Sequence, residues 1–295
     1  MTRIGIIGTG MLGNAVGLHL LKLGFDLTVY NRTKEKTNEL KNNGAIVADS
    51  PKSVAENSEL IITIVKDADA VKKVSFGKNG IVEGKHTGLT VADMSTINPV
   101  ESKKISKKFL KHKIIKLDTP VMGGPNVAIT GKLVLMASGD KNTFDRFKNV
   151  FEKIANKIFF LGEEGTAHLV KLSMNLQITM LALALAEGIT LVRSANVDPK
   201  IFLDILNSTY FKTGMSENKA YKMIQDEFEA TFTLANLKKD ITTITDTAKS
   251  FGIKLPMIKK AEDVYEDAMK KGFGDMDYTG ILAYFKKVNK SQHNK

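Results

Sequence analysis

The chain opens with an unbroken apolar run, Ile4-Gly5-Ile6-Ile7, then a glycine-rich break, then apolar residues at Leu12, Val16 and Leu20. A short apolar run bounded by glycine reads as a strand buried on both faces, and the following spacing reads as a helix laid over it. The alternation repeats: strand 27–30, helix 34–42, strand 45–47, helix 51–57, strand 60–65, helix 67–74, strand 89–93. Further strands are expected at 114–118, 133–138 and 157–161, with a helix at 141–154, so the sheet is predicted to end near Gly162. Alternation of this kind predicts a doubly wound α/β fold, a parallel sheet covered by helices.

Past Gly165 the strand signals vanish. The run "AHLVKLSMNLQITMLALALAEGITLVRSA" is apolar nearly all round, which predicts a long buried helix. More helices are expected at 199–207, 216–224, 234–251, 256–270 and 279–287, and the tail from Lys286 onward is expected to fray. The organisation predicted is therefore an α/β domain over 1–163 and an all-α domain over 164–295, joined by the long helix. That helix is not expected to span a membrane. Its uncharged stretch between Lys171 and Glu187 is about fifteen residues and contains Ser173, Asn175, Gln177 and Thr179, short of the ~20 that a span needs.

Composition narrows the chemistry. A chain of 295 residues, 43% hydrophobic, can bury two sizeable cores. No charged segment followed by an apolar one opens it, which points to a cytoplasmic protein. With no cysteine and five scattered histidines, disulfides, thiolate catalysis and zinc are not expected, and no metal site is predicted. The net charge of +11 raises nucleic acid as a partner. Its densest cluster, Lys103 to Lys116, carries Ile105, Phe109 and Leu110 at helical spacing, so the lysines read as the wet face of an amphipathic helix.

The glycines Gly8, Gly10 and Gly13 form G-x-G-x-x-G between the first strand and first helix. In that setting Gly8 allows the turn, Gly10 lets backbone approach a pyrophosphate, and Gly13 lets the helix pack closely on the strand. A Rossmann-type dinucleotide site follows, with phosphates at the helix N-terminus. An NAD-binding unit places a carboxylate at the end of the second strand; this chain has Tyr30-Asn31-Arg32-Thr33-Lys34. Arg32 can stack on adenine or fork onto a 2′-phosphate, with Asn31, Thr33 and Lys34 as further donors, so NADP is favoured over NAD.

Ligands of such a sheet bind beyond the carboxyl ends of its strands. The loops there are Lys66-Asp67, "DMSTINP" from Asp93, and "DTPVMGGPNVAITGKL" from Asp118. Ser95 and Thr96 offer hydroxyls, and Gly123-Gly124 expose backbone N–H groups to which a carboxylate can dock. In the long helix, Lys171 and Asn175 share one face. Burial there would lower the pKa of the lysine toward the working range of a general acid that protonates an alkoxide as hydride arrives.

The glycine fingerprint, "DMST", "DTPVMGGPNVAITGKL", "GTAHLVKLSMN" and "LANLKKD" stand in the order and spacing of the β-hydroxyacid dehydrogenases. Over essentially its whole length the chain resembles this 3-hydroxyisobutyrate dehydrogenase family, and "YNRT" resembles the NADPH-dependent branch that reduces glyoxylate and succinic semialdehyde. The resemblance implies Lys171 as catalytic acid/base with Asn175 holding the substrate or the lysine. It implies an NADP(H) site made of Gly8, Thr9, Gly10, Met11, Leu12, Gly13, Asn31, Arg32, Thr33, Val65, Lys66, Thr96 and Lys239, with Asp240 following. It implies substrate contacts from Ser95, Met122, Gly123, Gly124, Lys171 and Asn175, and a homodimer or homotetramer built through the helical domain. Met122 replaces the family's usual serine, Lys66 its proline, and Val127 its glycine; a β-branched residue resists positive φ, so this last loop is expected to differ locally. Two alternatives stand beside this expectation. An imine reductase-like NADPH enzyme generally lacks a lysine at the position of Lys171, and a non-catalytic NADP-binding module on nucleic acid has no need of one.

Overall fold

A computed structural model describes residues 2–293 of the chain. Six strands, β1 (Ile4–Ile7), β2 (Leu27–Tyr30), β3 (Ile46–Val47), β4 (Leu60–Thr63), β5 (Thr90–Asp93) and β6 (Ile115–Asp118), form a sheet in the order β3-β2-β1-β4-β5-β6. Every pairing is parallel, with β1 in register with β2 through Ile4 and Leu27 and with β4 through Ile4 and Leu60. This is the doubly wound topology, and its switch point lies where β1 meets β4.

Because side chains alternate across a strand, each strand feeds two cores. Ile4 and Ile6 of β1, Leu60 and Ile62 of β4 and Leu117 of β6 enter one. Ile7, Ile61 and Val91 enter the other. Both faces are therefore dry, which is why these strands read as continuous apolar runs. Helices α1 (Met11–Lys22), α2 (Asn38–Asn42), α3 (Pro51–Glu56), α4 (Ala68–Phe76) and α5 (Pro99–Lys111) supply the crossovers. Ser50, Asp67 and Asn98 cap α3, α4 and α5 by accepting backbone N–H groups.

The chain then departs from the predicted single sheet. Strands β7 (Val121–Met122), β8 (Leu133–Ala137) and β9 (Ala155–Phe160) make a separate three-stranded sheet, antiparallel between β7 and β8 and parallel between β8 and β9. Helix α6 (Pro125–Ala128) turns the chain between β7 and β8, and α7 (Lys141–Ile154) crosses from β8 to β9. The expected helix at 34–42 is a 3-10 turn followed by α2. On α5, Ile105 and Phe109 are buried as expected, but Leu110 is exposed.

Helix α8 runs Thr166–Ser194. The chain divides into two compact units at 172/173, inside this helix rather than before it. In the second unit follow α9 (Pro199–Asn207), α10 (Gly214–Asn218), α11 (Ala220–Ile224), α12 (Leu234–Ser250), α13 (Pro256–Lys270) and α14 (Ile281–His293), so the segment expected as one helix at 216–224 is two. Of the expected frayed tail, residues through His293 are helical, and Asn294 and Lys295 lie outside the described residues.

Long and apolar enough to cross a membrane by length and composition, α8 is only 33% buried over its most apolar window, so the all-round burial expected of it is not found. Its apolar character conceals polar positions with partners inside the protein. Thr179 bonds back to the Asn175 carbonyl, and Asn175 is buried against Asp240.

Candidate active site

The fingerprint glycines meet three different steric environments. At Gly8, φ is +102°, and a Cβ there would lie 2.1 Å from the Ile64 carbonyl oxygen, so both conformation and space demand glycine. A Cβ on Gly13 would stand 2.0 Å from the Gly8 carbonyl oxygen, which fixes how closely α1 sits on the turn. By contrast a Cβ on Gly10 meets nothing within 4 Å. The space over Gly10 is open, and a groove of about 310 Å³ lies there, lined by Thr9, Met11, Asn14, Glu35, Lys36 and Glu39. The residues present therefore fit a dinucleotide.

Two of the predicted cofactor residues turn out to brace that groove. Asn31 Oδ1 accepts the Thr9 N–H at 3.1 Å and its Nδ2 donates to the Thr33 carbonyl at 2.8 Å, while Thr9 Oγ1 donates to the Lys36 carbonyl. The β1 turn is thus tied to the loop after β2, and Arg32 and Thr33 stand exposed beside it. Lys34, expected as a further phosphate donor, is drawn to Asp49 at 3.1 Å. Met11 is exposed, Leu12 half-buried and packed on the core, and Lys66 exposed past β4 next to half-buried Val65.

Ser95 was expected to face substrate. It is buried, its Oγ accepts the Val65 N–H at 3.0 Å, and its own N–H goes to Asp93 Oδ1 at 3.1 Å, so it staples two loops. Thr96, next to it, is half-buried. In the third loop Gly123 takes φ +115° and Val127 sits inside α6 at ordinary helical backbone. Gly123 takes the left-handed conformation and Val127 an ordinary helical one, so Val127 carries no strain. Gly123 and Gly124 are exposed, and the space beyond the Gly124 Cα is open.

Lys171, half-buried in the second turn of α8, places Nζ 3.2 Å from Met122 Sδ. The residue that departs from the family's serine is therefore the one that touches the candidate acid, and its thioether is a weak acceptor. In the second unit, Asn175 Nδ2 donates to Asp240 Oδ2 at 2.6 Å, and Lys239 forms an ion pair with Asp240. A carboxylate only accepts, so it dictates the amide's orientation: the buried Asn175 Oδ1 is turned the other way and has no partner.

Sequence reasoning missed the most deeply buried charges. Lys116, Asp93, Asp118 and His168 have side chains fully out of solvent. Burial pushes Lys116 down and Asp118 up, yet their mutual attraction outweighs it, holding the lysine above its ordinary range and the carboxyl well below its own. The sequence pattern places Lys116 with the lysines of a wet helical face, and its position inside an apolar strand run is the hint against that. Among the described residues no cluster of metal-ligating side chains occurs.

Two family models cover the chain. Residues 3–162 match the NAD binding domain of 6-phosphogluconate dehydrogenase, and residues 165–285 match the NAD-binding region of NADP-dependent 3-hydroxyisobutyrate dehydrogenase. An uncharacterized oxidoreductase of Bacillus subtilis, YfjR, is 32% identical over 96% of this chain and 100% of its own length. Glyoxylate/succinic semialdehyde reductase 1 of Arabidopsis thaliana is 29% identical over 95% of this chain and 97% of its own. In fold, the chain is similar to a 3-hydroxyisobutyrate dehydrogenase from Salmonella typhimurium, with a TM-score of 0.88 over 96% of this chain and 100% of that one at 24% identity. Glycine turn, open groove and whole-length similarity agree, and the chain belongs to the 3-hydroxyisobutyrate dehydrogenase family of NAD(P)-dependent oxidoreductases that act on CH–OH groups.

Proposed function

We propose that the protein interconverts a small 3- or 4-hydroxy acid with its oxo acid or semialdehyde, using NADP(H) in preference to NAD(H), with Lys171 as general acid/base. The observation that carries this is the Lys171 ammonium held at Met122, beside the exposed Gly123-Gly124 backbone. When bound, the dinucleotide supplies or accepts the hydride at the carbonyl carbon. In the reducing direction Lys171 Nζ gives its proton to the carbonyl oxygen as charge develops there, and in oxidation it takes that proton back. The Gly123 and Gly124 N–H groups orient the substrate carboxylate. Asn175 gives one N–H to Asp240, which leaves its Oδ1 to accept a hydrogen bond from a hydroxyl or an ammonium.

Preference for NADP rests on the loop after β2, where Asn31, Arg32, Thr33 and Lys34 include no carboxylate and Arg32 is exposed. Self-association is supported by large apolar side chains left in solvent in the second unit, among them Leu191, Ile201, Ile205 and Phe211. An imine reductase has less support, because Lys171 occupies the position where those enzymes generally lack a lysine.

The test is NADPH oxidation with glyoxylate, succinic semialdehyde, methylmalonate semialdehyde and tartronate semialdehyde, repeated with NADH and with Lys171→Ala. Turnover of at least one aldehyde is expected, faster with NADPH. In the variant kcat should fall by roughly 10²–10⁴-fold with NADPH affinity nearly unchanged. Flat traces with all four aldehydes would refute the substrate class, and full activity in the variant would refute the role of Lys171.

A further inference from the structure

Beneath the loops that carry the candidate site, one lysine joins two carboxylates in a dry interior. Lys116 Nζ pairs with Asp118 Oδ1, donates to Ser102 Oγ at 2.8 Å and lies 3.8 Å from Asp93 Oδ2. His168 Nε2 lies 3.3 Å from Asp118 Oδ1, to which Ser102 Oγ also donates at 2.6 Å. Each carboxylate holds a different part of the site. Asp93 Oδ1 accepts the Thr63 hydroxyl at 2.9 Å and the Ser95 N–H, and Ser95 in turn holds Val65. Asp118 Oδ2 accepts the Gly165 N–H at 2.5 Å and the Ser138 hydroxyl at 3.0 Å, while Ser138 Oγ accepts the Ala167 N–H at 3.2 Å.

Those last contacts take up N–H groups that the start of α8 cannot satisfy within itself. Lys171 is six residues beyond Gly165, about 9 Å along the helix axis. A tilt of the first turn by about 10° would carry the ammonium roughly 1.5 Å, and a misplacement of about 1 Å can cost on the order of 100-fold in rate. A buried ion pair contributes little net stability over apolar side chains of the same shape, so stability alone is a poor account of this arrangement.

We propose that Lys116 and Asp118 are positioning residues: they lock the first turn of α8, and with it Lys171, at a fixed height against the loops of Val65 and Ser95. This rests on the reading of Lys171 as the acid/base. The variants are Asp118→Asn, Ser138→Ala and, as a control on the α5 side of the cluster, Ser102→Ala. Three measurements are made on the full chain: the acylation rate of Lys171 mapped by peptide mass spectrometry, amide exchange over 165–169, and kcat and KM for the aldehyde turned over.

In Asp118→Asn and Ser138→Ala the Lys171 labelling rate should change about threefold or more, exchange over 165–169 should rise, and kcat should fall at least about tenfold with KM and NADPH affinity within about twofold. Ser102→Ala should leave Lys171 labelling as in the unmodified chain. The proposal is overturned if labelling and exchange stay unchanged in Ser138→Ala, if exchange rises while kcat holds, or if Ser102→Ala has the same effect as Ser138→Ala. Should Asp118→Asn fail to fold, Ser138→Ala, which deletes one hydroxyl, decides. If the unmodified chain turns over none of the aldehydes, the proposed reaction fails, and Lys171 labelling still judges the positioning role.

Discussion

Replacing Lys116 by methionine tests the electrostatics of the first unit most directly. The methionine occupies much the same volume and leaves the carboxylates of Asp93 and Asp118 in place, both fully buried, with the main cation gone. Removing one partner of a buried pair costs about 3–5 kcal/mol, a large share of the ~5–15 kcal/mol that holds a domain folded. The pH dependence gives the test its sign. In the unmodified protein burial pushes Asp118 up, but Lys116 and His168 override it and hold the carboxyl well below its ordinary range. The stability it contributes is then fully present above an unfolded value near ~3.9 and is lost only as pH falls through the lower folded value, so pH 7 and pH 5 should be alike for this group. Without Lys116, burial dominates and the folded pKa rises above the unfolded one. The penalty is then full at neutral pH and relieved on acidification, so the deficit should narrow from pH 7 to pH 5. Urea unfolding at the two pH values, followed by circular dichroism, measures it. Adding Asp118→Asn should recover part of the loss. A deficit under about 1 kcal/mol at pH 7, or one that widens toward pH 5, would refute this account.

Three further outcomes follow from the site. Gly13→Ala sets a Cβ 2.0 Å from the Gly8 carbonyl oxygen, so α1 must lift off the turn; NADPH affinity measured by fluorescence titration should drop about tenfold or more (~1.4 kcal/mol), and retention of affinity would refute the packing role. Arg32→Ala removes an exposed guanidinium after β2 and should weaken NADPH by roughly 10–100-fold while leaving NADH within about twofold; equal losses for both would show that Arg32 does not read the 2′-phosphate. Met122→Ser replaces the thioether 3.2 Å from Lys171 Nζ with a hydroxyl and should lower KM for the smallest oxo acids, with glyoxylate as the assay; an unchanged KM would show that position 122 does not set substrate size.

The first sheet was legible because its signals are local. Strands buried on both faces must be apolar runs, and a turn with φ +102° packed against a carbonyl can only be glycine, so Ile4 to Gly13 announced strand, turn, helix and dinucleotide together. The three-stranded sheet was not legible as separate, since β7 has two residues and its pairing with β8 depends on a loop that no periodicity marks. Nor could sequence say that the Ser95 oxygen is taken up by the Val65 N–H, or that Val127 takes an ordinary helical φ while Gly123 takes the left-handed one. The lysine expected to be deeply buried, Lys171, is half-buried, and the one assigned to solvent, Lys116, is enclosed. A residue's own neighbours in sequence fix its backbone preference and, through periodicity, the face it falls on. Whether a charge can live in the interior depends on carboxylates brought from strands and loops far apart in the chain, here Asp93 from β5 beside Asp118 from β6, and only folding decides that.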